Sequence, residues 1–182
     1  MIPVELYGID VERCEEFYRV LPQLVADTID DETYSKALFA IQTEASLDHI
    51  RVADGWSNRD PFAWPEDITN EVEMVLRTVA YPDVGLLEHL LTLDHIDAQR
   101  VSEWMHFATN IYPIYSEAAC EALTKMGVPT PYRPDDIASY GLYVSRLEGL
   151  KIYAPAAGLP EIGLPRSRIC LLYTSDAADE GL

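Results

Sequence analysis

Residues 83–126, DVGLLEHLLTLDHIDAQRVSEWMHFATNIYPIYSEAACEALTKM, constrain the fold most, because they form the longest run in the chain with a clear helical period. Asp94 as an N-cap, with Asp97 at the third helical position, predicts a helix starting at His95, since both carboxylates meet backbone N–H groups that lack partners there. Ala98, Val101, Trp104, Met105, Ala108, Ile111, Tyr112, Tyr115, Ala119, Ala122, Leu123 and Met126 then fall on one broad stripe at 100° per residue. The opposite face carries His95, Gln99, Ser102, Glu103, His106, Asn110, Glu117, Glu121 and Thr124 and reads as solvent. Pro113 lies on that polar side and either kinks one helix or separates two, ending the first after Ile111. Upstream, the leucines of residues 83–93 predict a short buried helix capped by Asp83 just after Pro82.

A chain of 182 residues with 48% apolar side chains is long enough for one domain with a sizeable core. Its formal charge of −18, from 31 acidic against 13 basic residues, repels phosphate backbones and favours basic partners over direct nucleic-acid binding. The start, MIPVELYGID, has no basic and apolar leader pattern, and no apolar run is long enough to span a bilayer. Cys14, Cys120 and Cys170 have neither metal nor redox spacing, so a reducing cytoplasmic location with no membrane contact is the expectation.

Taken in order, residues 2–7 suit a short strand that Pro3 restricts to an edge. Asp10 caps a helix to about Leu21, where Pro22 marks an end or a bend. Residues 31–54 predict one long helix, apolar on more than one side and therefore central. Residues 55–67, GWSNRDPFAWPED, read as a loop whose Trp56, Phe62 and Trp64 either pin it to the body or serve as a partner-binding surface. A helix from Thr69 to about Ala80 follows, with Val72, Val75, Leu76 and Val79 inward and Glu71, Glu73 and Arg77 outward. After Met126, GVPTPYRPDD is a helix stop with Gly127 suited to a left-handed turn, and Asp135 or Asp136 caps a last helix through Ile137, Tyr140, Val144 and Leu147. Gly141 and residues 142–144 leave a strand open there.

The expected organisation is a single helical domain over residues 1–153, a Pro/Gly-rich extension over 154–169 and a non-native tail over 170–182. The tail reading rests on CLLYTSDAADE at residues 170–180, which resembles the conceptual translation of the transposon-end adapter used to prepare DNA sequencing libraries. That resemblance implies that genuine coding sequence runs out near Arg168 or Ile169, which leaves room for a longer natural protein. No resemblance to a protein family is carried by residues 1–168.

Few constellations carry chemistry. Glu103-Trp-Met-His106 places a carboxylate and an imidazole three residues apart on one helical face, the arrangement of a metal ligand pair. His95, and Glu88 or Asp94 just upstream, are candidate further ligands for iron, manganese or zinc; Glu44, Asp48 and His49 are candidates on a second helix. The competing reading is a solvated helix face. Leu-Asp-His-Ile occurs at residues 47–50 and again at 93–96, without flanks that support a longer repeat. For His49 the plain role is a hydrogen-bonded, semi-buried histidine. Neither Cys14 nor Cys120 has a nearby histidine in sequence, and no phosphate-binding glycine loop is present. Glu5, Asp10, Glu12, Glu15, Glu16, Asp27, Asp30, Asp31 and Glu32 crowd the beginning with negative charge.

Together these patterns predict a mainly α protein, a compact bundle of five or six helices with a short amino-terminal strand. The functional expectation is a non-enzymatic acidic interaction or assembly module that binds a protein partner, a basic one by charge. The competing expectations are a metal-dependent, di-iron-like helical enzyme using Glu103, His106, His95 and Glu88, and an inhibitor that imitates nucleic acid.

Overall fold

In the computed structural model, residues 10–27, 32–43, 49–60, 63–78 and 84–150 are described. They form eight α-helices and no strand: α1 (Val11–Asp27), α2 (Glu32–Thr43), α3 (His49–Trp56), α4 (Glu66–Thr78), α5 (Val84–Leu90), α6 (Ala98–Thr109), α7 (Glu117–Lys125) and α8 (Ile137–Leu150). The fold is mainly α, as the periodicity predicts, with more helices than the five or six expected. The proposed strand at residues 2–7, the boundary at 153, the extension and the tail all lie outside the described residues. No helix among the described residues is long and apolar enough to cross a membrane.

Side-chain caps open four of the eight helices, α1, α6, α7 and α8. Asp10 accepts from Arg13 N–H at 3.1 Å and opens α1. Ser116 accepts from Ala119 N–H at 3.2 Å and opens α7. Asp136, rather than Asp135, opens α8, accepting from Ala138 N–H at 3.0 Å and from the Ser139 hydroxyl at 2.8 Å. α8 then runs straight through Gly141, so the strand alternative at 142–144 is set aside. Gly127, with φ 84°, takes the left-handed position expected of it after α7.

Several boundaries differ from the sequence expectation. Helix α6 starts three residues later than predicted, with Asp97 and not Asp94 as its N-cap; the Asp97 carboxylate accepts from Arg100 N–H at 2.7 Å. Residues 91–95 wind instead through turns in which Leu93 N–H donates to Leu90 O and Ile96 N–H to Leu93 O, and His95 sits at φ 66°. A left-handed residue cannot open a right-handed helix, so the start moves past it. The backbone of α1 continues beyond Pro22 to Asp27. The single helix expected over 31–54 is two, α2 and α3, which pack on each other as one continuous helix could not. α4 begins at Glu66, three residues before Thr69.

Pro113 separates two helices. α6 ends at Asn110, which adopts the left-handed conformation and donates its N–H to His106 O at 2.8 Å. A non-helical connection over residues 111–116, with a bend at Tyr112, then leads to α7.

The centre of the bundle is α6, not the segment 31–54. α2, α3, α4 and α8 all pack on α6, and each residue from Val101 to Phe107 is buried. Trp104, Phe107, Tyr34, Leu76 and Tyr143 are among the largest fully buried side chains around it. Burying one such side chain contributes roughly 1.5–3 kcal/mol, so a helix enclosed on every side anchors the bundle.

Candidate functional site on the buried central helix

The side of α6 that reads as solvent in sequence is inside the protein: Ser102, Glu103 and His106 are at most 1% exposed. Backbone of the 111–116 connection covers part of it. The Ser102 hydroxyl donates to Gln99 O at 2.6 Å and accepts from Tyr115 N–H at 2.8 Å. His106 Nδ1 lies 2.7 Å from Tyr112 O, and because a carbonyl only accepts, the proton is on Nδ1. Nε2, the other ring nitrogen, pairs with the Tyr34 hydroxyl 2.8 Å away. From α8, Tyr140 donates to Pro113 O at 3.1 Å and Tyr143 to Ile114 O at 3.0 Å, satisfying the carbonyls that an extended buried segment leaves open.

Two guanidinium groups complete the cover. Arg100 forks onto Asp54 of α3, Nε to Oδ1 at 3.0 Å and Nη2 to Oδ2 at 2.8 Å, and also donates to His95 O and Asp60 O at 3.0 and 2.8 Å. Trp104 adds its indole N–H to Asp54 Oδ1 at 2.9 Å. Arg59, on the crossing that follows α3, forks onto Glu103 with Nε to Oε2 and Nη2 to Oε1, both 3.1 Å. Gln99 donates to the same carboxylate at 3.1 Å and accepts from the Tyr132 hydroxyl at 2.7 Å, while Asp97 stands 3.9 Å from Arg59. Burial opposes the charge on Arg59, but the hydrogen bond and charge of Glu103, followed by the charges of Asp97 and Asp54, outweigh it and hold its pKa above the ordinary value.

The two pairs differ in enclosure. The side chains of Arg100 and Asp54 are 4% and 5% exposed, whereas Arg59 is 23% exposed over a Glu103 that is only 2% exposed.

These contacts fix where the candidate metal ligands stand. Glu103 is held by Arg59 and Gln99, and both ring nitrogens of His106 are engaged by Tyr34 and Tyr112. His95 and Glu88 are exposed, on the turn before α6 and on α5. Among the described residues no three His, Cys, Asp or Glu side chains gather where they could hold a metal ion. Asp94 is exposed, and Glu44 and Asp48 lie outside the described residues. His49 is fully buried, with Nδ1 3.3 Å from Glu73 Oε1, so Glu73 faces α3 rather than solvent. The two Leu-Asp-His-Ile segments therefore place their histidines in unlike surroundings, one buried at the start of α3 and one exposed in a turn.

The aromatic residues of segment 55–67 pack inward where they are described. Trp56 closes α3, with its ring 6.0 Å from Tyr34 and 5.4 Å from Phe107; Trp64 meets Trp104 edge-on at 5.7 Å. Phe62 lies outside the described residues. Cys14 and Cys120 are buried, and burial pushes their thiols up to about 11 and about 12, so neither is a thiolate near neutral pH.

Sequence reasoning did not single out Arg59, Gln99, Tyr132, Asp54 or Arg100. The available signal was the pair of arginines in a chain with few bases, each spaced for α6 or the crossing beside it. Outside this network, an open groove of about 490 Å³ runs along α7 beside Glu117, Cys120, Glu121, Lys125, Thr130 and Tyr132. Tyr132 belongs to both, joining the groove through Gln99 to Glu103 and Arg59. No known family, curated protein or solved structure matches the chain.

Proposed function

We propose that this protein is an acidic interaction module that docks a basic protein segment in the groove along α7. The observation that carries this reading is the groove itself: exposed Glu117 and Glu121 stand one helical turn apart on its wall, and Tyr132, which lines it, feels the charges of Glu117 and Asp97. The buried acids Asp54 and Glu103 are each matched by an arginine, so these neutral pairs leave the whole −18 excess elsewhere in the chain. Exposed carboxylates along a concave surface attract a cationic segment over roughly a Debye length, about 10 Å at 0.1 M salt. Tyr132 supplies an amphipathic ring of the kind that anchors a bound chain.

Fluorescence anisotropy with a labelled peptide rich in lysine and arginine tests the reading. Glu117→Lys combined with Glu121→Lys is expected to weaken binding about tenfold, since reversing two rim charges changes affinity by roughly 1–2 kcal/mol. Added salt should weaken the wild type in the same direction. Equal affinity of wild type and charge-reversed protein at low salt sinks the proposal.

A further inference from the structure

The Glu103 carboxylate is built to receive a guanidinium. Its two oxygens face the Nε and Nη2 of Arg59 at 3.1 Å each, the parallel two-point geometry that a planar fork makes and an ammonium cannot. Gln99 holds one of those oxygens in place, and Tyr132 holds Gln99. Asp97 adds a second negative charge at 3.9 Å on the outer side. The carboxylate is buried and oriented by neighbours on α6 and on the segment before α8, while its cation arrives from elsewhere, on the crossing after α3.

The occupant is less enclosed than the seat. The Arg59 side chain is 23% exposed against 2% for that of Glu103, and the acids beside its guanidinium are Glu103 and, 3.9 Å away, Asp97. Arg100 offers the contrast within the same protein: its side chain is only 4% exposed and is bound to Asp54 and to two backbone carbonyls. The Arg59 seat instead adjoins the α7 groove, through Tyr132, whose phenol feels the charges of Asp97, Glu117 and Arg59.

We infer that Glu103, Gln99 and Asp97 form an arginine-recognition site that Arg59 fills from within the chain, and that an arginine of a basic partner lying in the groove takes by displacing it. The biological use of the site rests on the docking reading above; the site itself does not. Arg59 thereby acts as an internal competitor, setting how much partner arginine is needed to occupy the seat.

The decisive experiment empties the seat. Arg59→Ala is unfolded thermally with ethylguanidinium or ethylammonium chloride at equal millimolar concentration, beside wild type and an Arg59→Ala/Glu103→Gln double variant. Saturable stabilisation of Arg59→Ala by ethylguanidinium, at least tenfold tighter than by ethylammonium and lost in the double variant, is expected. Equal effects of the two cations, or none, overturn the site. If Arg59→Ala does not fold, Arg59→Gln and refolding of Arg59→Ala with each cation give the same reading: recovery selective for ethylguanidinium supports the seat and its absence overturns it. A peptide with one arginine in a glycine- and lysine-rich segment should then bind Arg59→Ala about tenfold more tightly than wild type, with no such gain when lysine replaces the arginine. Ethylguanidinium selectivity that survives while the groove charge reversal has no effect would reject the docking reading and keep the seat.

Discussion

Helices α6 and α7 come from one stretch of sequence with one continuous apolar stripe, yet they end in opposite surroundings. α7 keeps its polar side outside: Glu117, Glu121 and Thr124 are exposed, while Ala119, Cys120, Ala122 and Leu123 face the core. From Val101 to Phe107, α6 has no outside, for Ser102, Glu103 and His106 are as deeply buried as Trp104 on the other face. Amphipathic periodicity therefore states which face seeks the core but not whether the other face stays in water. On α6 the second face can be covered because its buried polar side chains meet partners: backbone for Ser102 and His106, Arg59 for Glu103, Asp54 for Arg100.

This comparison breaks most sharply at Arg100. Arg100→Met strands the Asp54 carboxylate in a site from which water is excluded, and should destabilise the protein by about 3–5 kcal/mol in chemical denaturation. Adding Asp54→Leu should recover much of that loss, because an apolar pair of similar volume has no charge to strand. Recovery would establish that the penalty belongs to the orphaned acid rather than to lost packing.

The caps provide a middle test, because there the two helices should behave alike. Asp97→Ala at α6 and Ser116→Ala at α7 each remove one side-chain acceptor from an N-terminal N–H, and each is expected to lower stability by about 1 kcal/mol. A far larger effect at Asp97 alone would mean that its charge beside Arg59 matters more to stability than its capping. At the small end, Glu117→Gln and Glu121→Gln on the exposed side of α7 should change stability by no more than about 0.5 kcal/mol. A large loss from either would show that α7 is enclosed in the way α6 is.

How much was legible follows from the range of each interaction. Asp10, Ser116 and Gly127 act within a few residues, and their chemistry can be read from neighbours along the chain. Local rules do not place the start of α6, because two aspartates, Asp94 and Asp97, both satisfy the capping pattern; the turn at residues 91–95 chooses between them. The spacing of Glu103 and His106 marks them as a pair on one helix; both lie on α6, and their partners Arg59 and Tyr34 come from distant parts of the chain. Trp56 and Trp64 suit either anchors or binding residues by sequence, and their rings lie against Tyr34, Phe107 and Trp104.

The sequence by itself determined that the protein is helical, that a strong stop follows Met126 and that its charge excess is negative, since period, turn chemistry and composition are local or additive properties. Tertiary structure alone decided which helix is central and which charges are neutralised. Asp54 meets Arg100 across 46 residues and Arg59 meets Glu103 across 44, so nothing in the spacing of either segment records the other. A buried charge is tolerable only where its counter-ion arrives in the right geometry, and that arrival is a property of the packed bundle.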